Sequence, residues 1–153
     1  MNEMFGNGLI ITVVILVVIL ATVLYIRYRA RRIMPLPMDE MEGHDFEYYC
    51  ADLLRGNGFI EVEVTKGSGD YGVDILAERE GITYAFQCKC YDKPIGVKAV
   101  QEVYAGRDFY GQMVGVVMTN QYFTQPAVDM AKKLNIMLWD RDYIRDMDPD
   151  VVI

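Results

Sequence analysis

Asp74, Gln87 and Lys89 lie 13 and 15 residues apart, yet the local pattern predicts that they meet. Gln87 and Lys89 are two apart in an alternating run, so they share one face of a strand, while Tyr84, Phe86, Cys88 and Cys90 share the other. Glu80-Gly81, between the runs Val73–Glu78 and Ile82–Tyr91, is a short hairpin signal. Folding the chain symmetrically about it sets Asp74 directly opposite Gln87, with Cβ atoms roughly 5 Å apart and Lys89 as the diagonal neighbour. A carboxylate, an amide oxygen and one ammonium on a single face suit Mg²⁺, which takes one or two carboxylates and completes its shell with water and phosphate oxygens.

Other residues admit two readings each. Glu47 precedes Leu54 by seven positions and borders an apolar helix stripe; it is either a boundary glutamate kept in solvent or a carboxylate aimed over the sheet at the same site. Asp70, in the turn GSGDYG, either bonds its own backbone or serves a metal or phosphate directly. That turn lacks a following GK[ST] and leads into a strand, against a Walker site. His44, the only histidine, reads as a surface polar group. Cys50, Cys88 and Cys90 are an odd set without CxxC, against a disulfide scaffold or structural zinc and in favour of a reducing compartment.

The elements that must position these groups come from periodicity. Phe46, Tyr49, Cys50, Leu53 and Leu54 mark a helix that Gly56-Asn57-Gly58 stops, with Asp45 as its expected cap. Phe59–Thr65 alternates, with Ile60, Val62 and Val64 on one face and Glu61 and Glu63 on the other. After the hairpin and Lys93-Pro94, Val97, Val100, Val103, Tyr104 and Phe109 predict a second helix. Val114–Met118 predicts a buried strand, Gln125–Leu134 a third helix and Ile136–Trp139 a last strand. The acidic tail DRDYIRDMDPD reads as solvated. This is a mixed α/β domain without internal repeats.

Of the 153 residues, 52% are hydrophobic, too many for a disordered chain. The 18 residues Leu9–Ile26 carry no charge and as a helix would span roughly 27 Å, enough to cross a bilayer. Glu3 is the only charged residue before the run and RYRARR comes directly after it. That order is the reverse of a signal peptide, and it places the C-terminal side of the helix in the cytoplasm. The expected organisation is a transmembrane anchor with basic flank over residues 1–32, a linker over 33–42 and a domain over 43–153. Residues 33–153 hold 11 basic and 21 acidic side chains, net −10, which excludes a generic basic nucleic-acid-coating protein.

The blocks GHDFEYYCADLLRGNGF, VTKGSGDYGVDILAE, YAFQCKCYDKPIG and MTNQYFTQPAVDMAKK resemble the Mrr-type branch of the PD-(D/E)xK restriction-endonuclease-like nucleases, over Gly43 to Trp139. The resemblance implies that family's mixed sheet flanked by helices, and metal-dependent DNA cleavage. It sets the family's aspartate on Asp74, its QxK on Gln87 and Lys89, and its helix glutamate on Glu47. By that implication Asp74, Gln87, the Cys88 backbone carbonyl and Glu47 hold Mg²⁺ or Mn²⁺, while Lys89 orients the attacking water or offsets charge growing on phosphorus. Lys66, Lys93 and Lys98, with Asp70, are the candidate DNA contacts. The expected partners are DNA and the plasma membrane, through residues 9–26, with the domain in the cytoplasm. A homodimer is left open. The rival readings are a non-catalytic DNA-binding or adaptor module on the same fold, and a membrane-assembly protein whose domain recruits partners.

Overall fold

The structure is a computed structural model that describes residues 12, 14–23, 38–66, 69 and 71–148. Two compact units divide the chain, Met1–Pro35 and Leu36–Ile153. In the first, 14–23 are helical with exposed side chains, and Thr22 Oγ1 donates to the Val18 carbonyl at 2.8 Å. No helix among the described residues is long and apolar enough to cross a membrane; the remainder of the expected anchor lies outside them.

The second unit is a five-stranded sheet in the order β1-β2-β3-β4-β5. Its elements are α1 (Gly43–Gly56), β1 (Ile60–Val64), β2 (Ile75–Arg79), β3 (Ile82–Lys89), α2 (Val97–Phe109), β4 (Val114–Thr119), α3 (Gln125–Leu134), β5 (Ile136–Trp139) and α4 (Arg141–Met147). The first three strands are antiparallel, and β4 and β5 add parallel to β3. Parallel neighbours need crossovers, and α2 and α3 supply them.

Strand alternation sorts the core into two layers. Ile75, Phe86, Cys88, Val116 and Met118 pack with Phe46, Cys50 and Leu54 of α1 and Ile144 of α4. Val117 and Ile136 pack with Val100 and Val103 of α2 and Ala127 and Ala131 of α3. Full burial of each large aliphatic or aromatic side chain contributes about 1.5–3 kcal/mol.

The hairpin forms as expected. Glu80 and Gly81 both take positive φ, 55° and 79°, the two-residue turn whose twist suits antiparallel strands. Ile75 pairs with Phe86 and Arg79 with Ile82. The expected strand Val73–Glu78 starts later, at Ile75, but Asp74 is already tied on both sides. Its N–H donates to the Phe86 carbonyl at 2.7 Å, and its carbonyl accepts from Thr65 N–H at 2.9 Å.

Other expectations are corrected. The α1 N-cap is Glu42, with no side-chain cap bond, and Asp45 lies in the first turn instead. In β1 the register shifts between Ile60 and Glu63, and Glu61 takes φ 51°. That bulge turns Ile60 outward, 56% exposed, and breaks the alternation. Tyr104 and Phe109 of α2 are exposed, while Ala99 and Gly106 take the buried positions. The acidic tail folds as α4: Asp140 caps it by accepting from the N–H groups of Asp142 and Tyr143, Ile144 is wholly buried, and Tyr143 stacks on Trp139 at 4.7 Å. Residues 38–42, expected in the linker, pack on the domain: Met38 and Met41 join the first core layer and Arg141 holds Asp39 at 2.9 Å.

The segment preceding Asp74 rests directly on α2. A Cβ on Gly106 would lie 2.4 Å from Val73 Cγ2 and 2.6 Å from the Tyr71 carbonyl oxygen, closer than real atoms approach. Gly106→Ala is therefore expected to destabilise the chain by about 1–3 kcal/mol through overpacking. Gly56→Ala, where a Cβ meets nothing within 4 Å, should be neutral or slightly stabilising. Paired urea-denaturation curves check the contrast.

Candidate active site

Because Ile75 and Phe86 point into the α1 layer, the residues beside them, Asp74 and Gln87, point to the α2 side, and Lys89 follows Gln87. Gln87 Nε2 donates to Asp74 Oδ2, and so does the Cys88 N–H at 2.6 Å. Both residues are buried, Asp74 to 8% and Gln87 to 3% exposure. Gln87 Oε1 is buried with no hydrogen-bond partner in the protein. A buried amide oxygen left in that state is costly, and a cation is one group that would satisfy it.

Lys89 reaches the site from the end of β3. Its Nζ lies 2.9 Å from Glu102 Oε2 on α2, and Lys98 Nζ lies 3.6 Å from Glu102 Oε1. Burial alone would push the Lys89 ammonium toward deprotonation, but the hydrogen bond and charge of Glu102, helped by Asp74, outweigh it and hold its pKa above the usual 10.5. Asp74, Gln87, Lys89, Lys98, Glu102 and Tyr71 line one open cleft of about 510 Å³.

Glu47 is placed elsewhere. It belongs to α1, which packs on the opposite face of the sheet, and its Oε2 is 3.1 Å from His44 Nδ1. Its charge reaches the Cys88 thiol, whose pKa is pushed up first by a hydrogen bond with Cys50, then by burial and by the charges of Cys50, Asp74 and Glu47. It is not among the cleft-lining residues. The seven-residue spacing to Leu54 correctly sets Glu47 beside the apolar stripe, but that stripe covers the other side of the sheet. Among the described residues no three His, Cys, Asp or Glu side chains are grouped to hold a metal ion. The oxygen donors that the cleft itself gathers are the carboxylates of Asp74 and Glu102 and the Gln87 amide, a type of donor that Mg²⁺ accepts when water and phosphate complete its shell. The cysteines are free, Cys50 and Cys88 buried in the core.

Of the candidate DNA contacts, Lys98 is at the cleft with its side chain 87% exposed. Lys66 and Lys93 are exposed and do not line it. Asp70 lies outside the described residues. Glu102 and Tyr71 were not legible as site residues: the Lys98–Glu102 spacing signals a helical ion pair, but nothing in the sequence marks Lys89 as its second partner.

The Mrr_cat restriction endonuclease profile matches residues 38–147. A solved protein of unknown function, AF1548, is 27% identical with a TM-score of 0.54, over 63% of this chain and 57% of that one. The DNA modification-dependent restriction endonuclease AspBHI is 19% identical with a TM-score of 0.52, over 67% of this chain and 30% of that one, a likeness of fold. The chain thus spans about half and under a third of these two proteins. No curated protein matches it significantly.

The Lys89–Glu102 pair gives a signed expectation. A lysine whose folded pKa is raised contributes stability that is whole below its unfolded value and is lost as pH rises through the folded one. Glu102→Gln should therefore bring the Lys89 titration down from its raised position and reduce the loss of stability at alkaline pH. NMR titration of the Lys89 Cε and Nζ signals in the two proteins checks the sign.

Proposed function

The chain belongs to the Mrr_cat restriction endonuclease family, and we propose that it is a metal-dependent DNA endonuclease hydrolysing phosphodiester bonds, anchored in the plasma membrane with its domain in the cytoplasm. The observation that carries the nuclease reading is the meeting of Asp74, Gln87 and Lys89 in one cleft, with the Gln87 oxygen buried and unpartnered.

Asp74 and the Gln87 oxygen, with the Cys88 carbonyl, would hold Mg²⁺ or Mn²⁺. When bound, such an ion polarises the scissile phosphate and acidifies a water. Asp74 supplies the charge, and the Gln87 and Cys88 N–H donors fix its carboxylate. Glutamine in place of a carboxylate leaves the site one charge poorer, so affinity rests heavily on Asp74. Lys89, kept protonated by Glu102, has no lone pair with which to take a proton. Its role is to donate to a phosphate oxygen as negative charge grows there, or to orient the water. Lys98 offers a contact to the DNA backbone at the same cleft.

The expected result is nicking of supercoiled or branched DNA by the purified chain with Mg²⁺ or Mn²⁺, abolished by Asp74→Ala and by Lys89→Ala. Calorimetric metal binding should weaken strongly for the first and little for the second, and Gln87→Glu should tighten it. Asp74→Ala also leaves two buried donors unpaired, a cost of about 1–3 kcal/mol each, so melting temperatures accompany every assay. Glu47→Gln should lower activity less than Asp74→Asn, since Glu47 lies off the cleft. A wild-type chain inert on linear, nicked, branched and modified DNA with either metal would favour the second reading, a non-catalytic DNA-binding or adaptor module, of which the adaptor form agrees with the net charge of −10 over 33–153.

The anchor rests on the apolar run and its arginine flank. Protease added to intact cells should spare the domain and digest it once the membrane is breached. Digestion in intact cells would refute the orientation.

A further inference from the structure

Two large aromatic rings stand in water at the cleft. Tyr71 and Phe109 are each 58% exposed and stack with centroids 3.8 Å apart and planes 25° from parallel. Tyr71 lines the cleft with Asp74, Gln87 and Lys89, and Phe109 backs it from outside that lining. Tyr110 in turn braces Phe109 edge-on at 5.1 Å.

The pair is held in place by backbone contacts. Tyr71 takes φ 51° and Gly72 φ 80°. A Cβ on Gly72 would lie 2.8 Å from both Cβ and the carbonyl oxygen of Glu102, and one on Gly106 would meet the Tyr71 carbonyl. The turn carrying Tyr71 is thus seated on α2 between Glu102 and Gly106, the helix that ends in Phe109. Single exposed apolar residues need no explanation, but a fixed stacked pair beside a polar cleft does.

A ring face beside a lysine such as Lys98 is the combination by which proteins hold unpaired nucleotides: the cation meets the phosphate and the ring meets the base. Duplex DNA buries its base faces in its own stack and offers Tyr71 nothing, and the acidic domain has little general attraction for a duplex. We propose that Tyr71, backed by Phe109, is a stacking platform for one unpaired nucleobase next to the scissile phosphate. The preferred substrates are then single strands, flaps and bulges over continuous duplex. The position of the scissile phosphate rests on the nuclease reading; the stacking itself does not.

The test uses the full chain in detergent with EDTA, so that no cleavage occurs, and DNA carrying one 2-aminopurine in a single strand, a flap or a duplex. The expected result is fluorescence quenching and tighter binding for the single strand and flap. Tyr71→Ala should weaken that binding roughly 5- to 150-fold, the range for loss of one base–aromatic stack, and abolish the quenching. Tyr71→Phe should keep both. Phe109→Ala should reduce quenching with the Tyr71 backbone intact, and an abasic site in place of the 2-aminopurine should erase the effect of Tyr71→Ala on affinity, read by gel shift. Equal quenching in duplex and single strand, or a folded Tyr71→Ala chain that quenches like wild type, would overturn the platform. So would a Tyr71→Ala chain whose oligomeric state changes while its quenching does not, since the rings then cover a protein surface. A wild-type chain that cleaves DNA without quenching the probe refutes the platform and keeps the nuclease; one that quenches but never cleaves does the reverse.

Discussion

An aspartate as buried as Asp74 must find donors, and the whole site is organised around supplying them. Two come from β3, the Gln87 amide and the Cys88 N–H; the peptide groups of Asp74 are engaged by Phe86 and Thr65. These bonds exist only in one register of the hairpin. A slip of one residue would turn Gln87 and Lys89 into the α1 layer and bring Phe86 to the α2 side, exchanging polar and apolar faces together. The same burial that packs Phe86 against α1 therefore fixes which side chains face the cleft.

Two oppositely directed effects meet at Lys89. Partial burial disfavours its charge, and Glu102 restores it through a contact that joins β3 to α2. That contact lies next to the place where Gly72 touches α2 at Glu102. The helix thus serves the site three times within a few residues: it holds the cation, seats the turn before Asp74, and carries Phe109.

Much of this was legible because it is short-range. The turn at Glu80-Gly81, the alternation around Gln87 and the helix over Gln125–Leu134 depend on neighbours in the chain, and each formed where the pattern placed it. What the chain pattern leaves open is what tertiary contact decides. Which face of the sheet α1 covers, and so where Glu47 sits, is not set by its heptad spacing. The tail reads as solvated because five of the eleven residues in DRDYIRDMDPD are Asp, yet one apolar residue, Ile144, with Tyr143 on Trp139 docks it. Tyr104 and Phe109 fit the expected helix, but small residues took buried positions: Gly106 where the turn before Asp74 comes close, and Ala99 in the layer against α3.

The bulge in β1 bears on how copies of this domain can meet. β1 is an outer strand of the sheet, and unpaired outer strands invite another chain to add alongside. Here the register break at Glu61, with exposed Glu61 and Glu63 flanking it, distorts the row of free peptide groups and lines it with negative charge, which a second identical edge would repel. Both features disfavour extension of the sheet by a second copy of this chain through its β1 side.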